Sequence, residues 1–270
     1  MRLSGWTVPM NVVSATSLAD FMTCPEKFRR ERLHDEWPKK SLDAFIGSVH
    51  HRSLERIIGG KLRGTLQPSN ETLISESTTE VIEIDGEPEW KEKPENVAAL
   101  GVLMLNSAEQ ALVPYVTRPE AIEAEFNERI PGVPVPIMGH IDVIAAVANW
   151  EFKTAKQKQS KPKAKWTMQG RIYQLFSPKP IIWGVTTKQK QPVSYSPFHD
   201  DTPNLCLPLV NPDTTVLMIQ RGIEMLNELH ARYGPDEPWP MTGLMHDYYC
   251  DYCHFGPKNP VPTCPAWVNG

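Results

Sequence analysis

Two acidic residues and a lysine stand close together in the middle of the chain. Asp142 lies in the apolar run IMGHIDVIAAVA, and Glu151 and Lys153 follow in WEFKTA. Because side chains alternate along a β-strand, Glu151 and Lys153 share one face of a predicted strand and Phe152 lies on the other. Two carboxylates held together repel each other unless a cation lies between them, and oxygen ligands suit Mg²⁺ or Mn²⁺. The triplet therefore predicts a divalent-metal site suited to phosphodiester hydrolysis, although a charged surface strand would show the same spacing.

A histidine on a predicted helix could complete this site. Residues 43–58 have apolar residues at mostly helical spacing, and they include His51, with Glu55 one turn later on the same face. A neutral imidazole is a suitable metal ligand beside carboxylates. The adjacent His50 is the alternative ligand. The predicted metal ligands are therefore His51, Asp142, Glu151 and the main-chain carbonyl of Phe152.

A lysine-rich loop follows the acidic strand, in a protein whose formal net charge is −4. A run of like charges is usually a solvated loop. Its position beside the predicted metal site favours contact with phosphates instead. Trp166, at the end of the loop, would stack on an unpaired base or belong to the core. The lysines of this loop are Lys156, Lys158, Lys161, Lys163 and Lys165.

A short polar pattern follows on the next predicted helix. Gln169 and Tyr173 are four residues apart and therefore lie on one face of that helix. In a structural role they would support the helix at the edge of the core. In a functional role, Gln169 would order the active site or the scissile strand, and Tyr173 would contact DNA.

Three of the five cysteines lie near the C-terminus. Cys250 and Cys253 form a C-x-x-C pair, and Cys264 follows them. Cys24 would supply the fourth ligand of a tetrahedral thiolate site, which would close a large loop between the two ends of the chain. Zinc and a 4Fe-4S cluster both accept four thiolates, and nearby histidines leave a mixed-ligand zinc site open.

Composition limits the classes of protein that the chain can represent. With 270 residues, 40% of them hydrophobic, it can bury the core of one large domain or of a domain with an appendage. No apolar run approaches the roughly 20 residues that span a bilayer, and the N-terminus lacks a signal-peptide pattern. We therefore expect a cytoplasmic protein without membrane contact. The net charge of −4 means that a nucleic-acid-binding surface must be a local patch.

The predicted elements run from helices to strands and back to helices. Three consecutive strands from Ala121 form an antiparallel meander, and the apolar strand IIWGVTT follows the helix that carries Gln169. This order indicates an α/β core with mixed strand directions. The predicted domains are an N-terminal helical segment (1–45), a core (46–235) with a polar insertion at about 59–95, and a Cys-rich C-terminal segment (236–270).

Together these motifs resemble the PD-(D/E)XK nuclease superfamily, and specifically its RecB-like branch. That branch contains the AddB nuclease domain and the iron–sulfur CRISPR-associated adaptation exonucleases. Each motif is weak, but they occur in the family order from Ser14 to Cys264. They are S-x-x-x-x-x-x-C-P from Ser17, G-x-x-x-H from Gly47, G-x-x-D from Gly139, E-x-K from Glu151, Q-x-x-x-Y from Gln169, and the C-terminal cysteines.

The resemblance implies a PD-(D/E)XK restriction-endonuclease-like core, with a mixed central sheet flanked by helices. It implies a Mg²⁺- or Mn²⁺-dependent exonuclease that acts on single-stranded DNA or DNA ends. It also implies a structural 4Fe-4S cluster on Cys24, Cys250, Cys253 and Cys264, stapling the helical and loop regions at the N- and C-termini. The gap between Cys253 and Cys264 is longer than is usual in the family.

The same resemblance bears on residue roles and partners. It implies catalytic roles for Asp142, Glu151, Lys153, Gln169 and Tyr173. DNA is the expected partner, and a homo-oligomer or a recombination- or CRISPR-type partner protein is compatible with the family. The competing interpretations are a non-catalytic nucleic-acid-binding protein of the same fold, and a nuclease with structural zinc in place of the cluster.

Overall fold

The structure is a computed structural model that describes residues 10–37, 39–199 and 204–240. Its contacts divide the chain into two compact units. The described part of the first comprises 10–37, 126–139 and 211–240, and that of the second comprises 39–125, 140–199 and 204–210. In chain order the elements are β1 (Val13–Ser14), α1 (Ala15–Thr23), α2 (Pro25–Phe28), a π-helix (Arg29–Leu33), α3 (Leu42–Arg63), α4 (Asn70–Asp85), α5 (Pro94–Ala111), a 3₁₀ turn (Val113–Tyr115), β2 (Pro119–Glu128), β3 (Ile137–Ala145), β4 (Asn149–Ala155), α6 (Ala164–Phe176), β5 (Ile181–Thr187), β6 (Ser194–Tyr195), β7 (Cys206–Leu207) and α7 (Pro212–Tyr233).

The strands form a mixed sheet, as the sequence predicts. β3 and β4 pair antiparallel, and β2 lies beside β3. β4 pairs in parallel with β5, and the short strands β6 and β7 pair antiparallel with β5. The parallel pair needs a crossover connection, which α6 provides. The central α/β core with helices around a mixed sheet is thereby confirmed.

α6 packs closely on the sheet through a glycine. Every residue of β5 is buried, which is typical of a central parallel strand. A Cβ atom placed on Gly170 of α6 would lie 3.2 Å from side-chain atoms of both Ile181 and Trp183 on β5. A larger residue at this position would push the helix away from the strand that pairs with β4.

Helices α3, α4 and α5 of the second unit share one hydrophobic cluster with β4. Phe45 and Leu54 of α3 pack there with Met104 of α5 and with Trp150 and Phe152 of β4. Since Phe152 points into this cluster, strand alternation turns its neighbours Glu151 and Lys153 to the opposite face. The cluster therefore fixes the direction in which the charged pair points.

The stretch 59–95, predicted from the sequence as a polar insertion, contains a regular helix, α4. Ser69 caps it by accepting a hydrogen bond from the amide of Thr72 at 3.3 Å. It has only four buried residues: two are adjacent, and the next two follow at intervals of three and four residues, with mostly polar residues elsewhere. This sparse apolar stripe is enough to pack on α3 and α5 but gives a weak signal in the sequence. The buried residues are Leu73, Ile74, Ser77 and Val81.

The segment Pro94–Tyr115, which includes α5, has the length and apolar composition of a membrane span. No apolar run of this length was expected from the sequence. In the structure, Met104, Leu105 and Ala108 are fully buried in the hydrophobic cluster beside α3 and α4. One face of the helix therefore packs into the core of the second unit.

The first unit is built on α1, α2 and α7. Ser14 caps α1 by accepting a hydrogen bond from the amide of Ser17 at 2.9 Å. The last helix is α7, Pro212–Tyr233. It packs on α1 where a Cβ atom on Gly222 would meet Leu18 at 3.0 Å.

Candidate active site

The antiparallel pairing of β3 and β4 brings Asp142 and Glu151 together. The register pairs Val143 with Trp150, which places Asp142 directly opposite Glu151. The amide of Phe152 donates a hydrogen bond to Oδ2 of Asp142 at 2.6 Å, and the amide of Asp142 points at Oε1 of Glu151 at 3.4 Å. Asp142 is 6% exposed and Glu151 is 1% exposed. The two carboxylates thus converge in a nearly buried pocket.

His51 reaches the same pocket from α3. Its Nε2 atom lies 2.7 Å from Oδ2 of Asp142, and its Nδ1 atom lies 2.6 Å from Oε1 of Glu55. His50 points elsewhere, since its Nε2 atom lies 3.1 Å from the hydroxyl of Thr186. Burial, followed by the charge of His51, lowers the pKa of His50 to about 3, so that ring is neutral. The structure therefore places His51, and not His50, beside the acidic pair.

Lys153 completes the predicted triplet. Its ammonium donates a hydrogen bond to Oε2 of Glu151 at 2.8 Å. Burial would lower the pKa of Lys153, but the charges of Glu151 and Asp142 hold the pKa above its usual value. Lys153 therefore stays protonated between the acidic pair and the cleft.

A second carboxylate group lies beside His51. Ligand atoms of His51, Glu55 and Glu123 all lie within 4.8 Å of one another. Oε1 of Glu123 is buried without a hydrogen-bond partner. From the sequence, Glu55 was identified only as a residue one turn from His51, and Glu123 was not identified. Glu123 has a φ of 48° within β2, so strand alternation could not have predicted its direction.

Two of the four carboxylates have a raised proton affinity. Burial, followed by repulsion from Asp142, raises the pKa of Glu151 to about 7. Burial, followed by the charges of Glu55 and Asp142, raises the pKa of Glu123 to about 8. Burial also favours a neutral Asp142, but the charges of His51 and Lys153 outweigh it and hold the pKa of Asp142 below its usual value.

This donor set fits a divalent cation. The pocket holds four carboxylates and one imidazole, and one of the buried carboxylate oxygens has no hydrogen-bond donor. Carboxylate oxygens with a nearby imidazole are suited to Mg²⁺ or Mn²⁺. A bound cation would take the place of the protons that the raised pKa values of Glu151 and Glu123 favour in its absence.

Gln169 and Tyr173 lie against the same pocket on α6. The amide of Gln169 donates a hydrogen bond to the Tyr173 hydroxyl at 2.5 Å. Tyr173 is buried, and burial together with the charges of Glu151 and Asp142 raises its pKa. The phenol is therefore neutral, and the two side chains support each other as their four-residue spacing predicts.

A cleft of about 820 Å³ opens beside the pocket. His51, Glu55, Glu123 and Lys153 line it. The rim and walls come from the start of α6, from α3 and from the end of α4. They include Arg52, Val81, Ile84, Asp85, Lys163, Lys165 and Trp166.

The lysine loop contributes unevenly to this cleft. Lys163 and Lys165 line it. Lys156 pairs with Asp43 at 2.8 Å, and the ammonium of Lys158 lies 5.6 Å above the ring of Tyr195. Lys161 is exposed and does not line the cleft. The five lysines therefore do not form one continuous row along the cleft.

Trp166 is mostly packed inside the second unit. It is 9% exposed, and the ammonium of Lys163 lies 5.4 Å from the centre of its ring. Only a small part of its surface meets the cleft.

The predicted cysteine cluster is described at one position. Cys24 lies between α1 and α2, where its sulfur accepts a hydrogen bond from the amide of Lys27 at 3.5 Å. The other three predicted ligands lie outside the described residues. They are Cys250, Cys253 and Cys264.

Comparison with solved structures finds a similar fold in one candidate exonuclease. The chain is similar to a candidate exonuclease from Eubacterium rectale, with a TM-score of 0.53, 14% identity, and coverage of 90% of this chain and 86% of the other. Its superposition on SSO0001 gives a TM-score of 0.41, with 18% identity and coverage of 91% and 84%. In a sequence comparison with functionally curated proteins, no match was found.

Comparison with protein families gives a match over most of the chain. Residues 12–257 match the family described as the PD-(D/E)XK nuclease superfamily. The match spans the strand pair, the His51 helix and the lysine loop. Proteins of this superfamily use divalent metal ions, which agrees with the donor set of the pocket. The chain therefore belongs to the PD-(D/E)XK nuclease superfamily.

Proposed function

We propose that the protein is a Mg²⁺- or Mn²⁺-dependent deoxyribonuclease that degrades single-stranded DNA or DNA ends as an exonuclease. The observation that carries this proposal is the buried meeting of Asp142 and Glu151, with Lys153 2.8 Å from Glu151 and His51 2.7 Å from Asp142. Family membership supports a hydrolytic nuclease. The exonuclease mode rests on the RecB-like motifs.

In this proposal, His51, Asp142, Glu151 and the carbonyl of Phe152 hold the metal. When bound, a divalent ion lowers the pKa of a coordinated water and stabilises charge on the phosphate. The chain's own contribution is to fix the oxygen ligands on two paired strands, so that little reorganisation is needed when substrate arrives.

Lys153 has a separate role. Its ammonium is protonated and is held by Glu151 at 2.8 Å. From there it would orient the attacking water and offset the negative charge that develops on the phosphate. Gln169 would orient the Tyr173 hydroxyl through its hydrogen bond. Together the two side chains would order the active site around the scissile strand.

The direct test is digestion of end-labelled single-stranded DNA in Mg²⁺ or Mn²⁺. Glu151→Gln and Lys153→Ala should each lower the rate at least ~100-fold, because the first removes a metal ligand and the second removes the ammonium that acts on the water and the phosphate. Glu125→Gln is the matched control, since Glu125 is an exposed residue on β2. Unchanged rates in the two site variants would overturn the assignment.

A circular substrate and a binding measurement separate the competing interpretations. Circular single-stranded DNA should resist an enzyme that needs ends, so rapid cleavage of circles would overturn the exonuclease mode. Binding of DNA without metal-dependent cleavage would instead favour a non-catalytic protein of the same fold.

The proposal also includes a structural 4Fe-4S cluster bound by Cys24, Cys250, Cys253 and Cys264. It is supported by the family motif at Ser17 to Pro25 and by the C-terminal cysteine pattern. Anaerobically purified protein should contain about four irons per chain and absorb broadly near roughly 400 nm. One zinc ion in a colourless protein would favour the tetrahedral zinc alternative.

The proposed substrate, location and partners follow from the proposed activity. DNA is the substrate, and the cytoplasm is the expected location. A homo-oligomer or a recombination- or CRISPR-type partner protein fits the same activity.

A further inference from the structure

Helix α3 lies against the sheet along one side. The residues on this side recur at helical spacing, so they form a single stripe. The ammonium of Lys188, which follows β5, donates a hydrogen bond to the carbonyl of the first residue of the stripe at 2.9 Å. The last residue of the stripe contacts Asp142 of β3. The stripe consists of Asp43, Gly47, His50 and His51.

Gly47 lies against Thr154 of β4 with no room for a larger side chain. A Cβ atom placed on Gly47 would lie 2.9 Å from the Oγ1 atom of Thr154, whereas ordinary van der Waals contact begins at about 3.4 Å. The next contact of the stripe is made by His50, whose Nε2 atom lies 3.1 Å from the hydroxyl of Thr186. Thr154 and Thr186 are register partners in the parallel pair of β4 and β5. α3 therefore packs on two adjacent threonine side chains.

Thr154 has little freedom to move away from α3. It is β-branched, so its χ1 angle is restricted. β4 is paired with β5 along its whole length, so the strand cannot shift without breaking that ladder. An added Cβ atom at Gly47 would therefore displace α3, by about 0.5 Å if ordinary contact is restored. Because functional groups must be held to within ~0.5 Å of their productive geometry, a shift of this size is enough to misplace a metal ligand on α3.

We propose that Gly47 and Thr154 are positioning residues for the metal site. Together they set how deeply α3 packs on β4. One helical turn after Gly47, this depth holds the Nε2 atom of His51 2.7 Å from Oδ2 of Asp142. Both residues act through His51 rather than by contact with the metal. This inference rests on the proposed function and deepens it, because it names residues that the metal site needs in addition to its ligands.

Gly47→Ala should weaken Mn²⁺ binding at least ~10-fold, which is the effect typical of groups that orient a metal ligand. Isothermal titration calorimetry measures this affinity in the absence of DNA. The measurement therefore excludes contacts between a substrate and Gly47 or Thr154, both of which line the cleft. Alanine is a better helix former than glycine, so a purely local effect would raise the melting temperature and leave the Mn²⁺ affinity unchanged. That result would overturn the proposal.

Gly59→Ala is the matched control in the same helix. Its Cβ atom would lie 3.2 Å from the flexible end of the Arg63 side chain, which can move aside. The Mn²⁺ affinity of this variant should therefore equal that of the wild type. Equal losses of affinity in Gly47→Ala and Gly59→Ala would contradict the proposal.

A second substitution on β4 should reverse the effect of Gly47→Ala. Thr154→Ala removes the Oγ1 atom that the new Cβ atom meets, so the double variant should bind Mn²⁺ as tightly as Thr154→Ala alone. Thr154→Val keeps a branched side chain of similar shape, so Gly47→Ala should remain weak in that background. Equal Mn²⁺ affinities of the two double variants would rule out the proposed role of Thr154.

The His51→Ala background separates the positioning of His51 from a general disturbance of the site. In this background, Gly47→Ala should cause no further loss of Mn²⁺ affinity, because the residue through which it acts is absent. A loss of the same size with and without His51 would overturn the proposal.

A crystal structure of metal-free Gly47→Ala tests the geometry without metal binding or turnover. The separation of Nε2 of His51 and Oδ2 of Asp142 should exceed the 2.7 Å of the wild type. An unchanged separation overturns the inference, even if the wild type digests DNA in Mn²⁺. A longer separation supports the inference, and failure of the wild type to digest DNA would then refute the proposed nuclease function alone.

Discussion

The Nε2 atom of His51 lies 2.7 Å from Oδ2 of Asp142, and this contact joins α3 to β3 at the centre of the pocket. The other ring nitrogen of His51 contacts Glu55 at 2.6 Å. In the metal-free protein, burial disfavours the charged ring, but the charges of Asp142 and Glu55 outweigh this and raise the pKa of His51. Metal binding must therefore displace a proton from His51, so the affinity for the metal ion should rise with pH.

His51→Ala should weaken Mn²⁺ binding at least ~10-fold, because loss even of groups that only support a metal ligand has effects of this size. Isothermal titration calorimetry measures the affinity directly. His50→Gln is the neighbouring control, since His50 contacts Thr186 and not the carboxylates. It should lower the melting temperature and leave Mn²⁺ affinity unchanged. A larger effect on Mn²⁺ affinity from His50→Gln would identify His50 as the ligand instead.

Glu123→Gln should weaken Mn²⁺ binding, because Oε1 of Glu123 is buried near His51 and Glu55 without a hydrogen-bond donor. Electron paramagnetic resonance of bound Mn²⁺ gives both stoichiometry and affinity. Glu125→Gln, on the same strand, should bind like the wild type. If Glu123→Gln binds Mn²⁺ as tightly as Glu125→Gln, Glu123 lies outside the metal site.

The metal-free protein should lose stability as the pH rises from about 5 to about 8. Glu151 and Glu123 have pKa values raised to about 7 and about 8 in the folded state, so each prefers its protonated form there. Their contribution to stability is complete below the unfolded-state pKa and is lost as the pH passes the folded-state pKa. Asp142, whose pKa is lowered, contributes in the opposite direction but at lower pH.

Thermal melts across this pH range test the effect. The melting temperature should fall by several degrees toward high pH without metal, and Mg²⁺ should remove most of the decline. Glu123→Gln should flatten the metal-free profile, because glutamine does not ionise. A profile that rises with pH in the metal-free wild type would contradict the assigned pKa directions.

Lys163→Ala should weaken single-stranded DNA binding and reduce its salt dependence. Each lost phosphate contact lowers the slope of log K against log salt by about 0.7 for single strands. Lys163 lines the cleft, whereas Lys91 is exposed and does not line it, so Lys91→Ala is the control. Equal slopes for the two variants would show that Lys163 makes no phosphate contact.

Local spacing predicted which charged residues lie together at the strand pair. The alternation around Phe152 predicted that Glu151 and Lys153 share a face, and the antiparallel register then placed Asp142 opposite Glu151. His51 was predicted from helical spacing and the family motif. The mixed sheet followed from the order of apolar runs.

Other features depend on long-range packing that spacing does not encode. Glu123 enters the pocket because β2 lies beside β3 and because its own φ of 48° breaks the strand alternation. α4 was missed because its buried stripe is narrow and its other residues are polar. Trp166, considered as a base-stacking residue or as core, is 9% exposed, which depends on packing around α6.

β4 lies between two partners, antiparallel to β3 and parallel to β5, and all seven of its residues pair with β5. We therefore expect the amide hydrogens of β4, the strand that carries Glu151 and Lys153, to exchange only when the whole unit unfolds. Heat inactivation should therefore coincide with loss of this sheet rather than precede it. Local unfolding elsewhere in the chain would leave Glu151 and Lys153 in place. We therefore expect this pair to be lost only when the second unit unfolds.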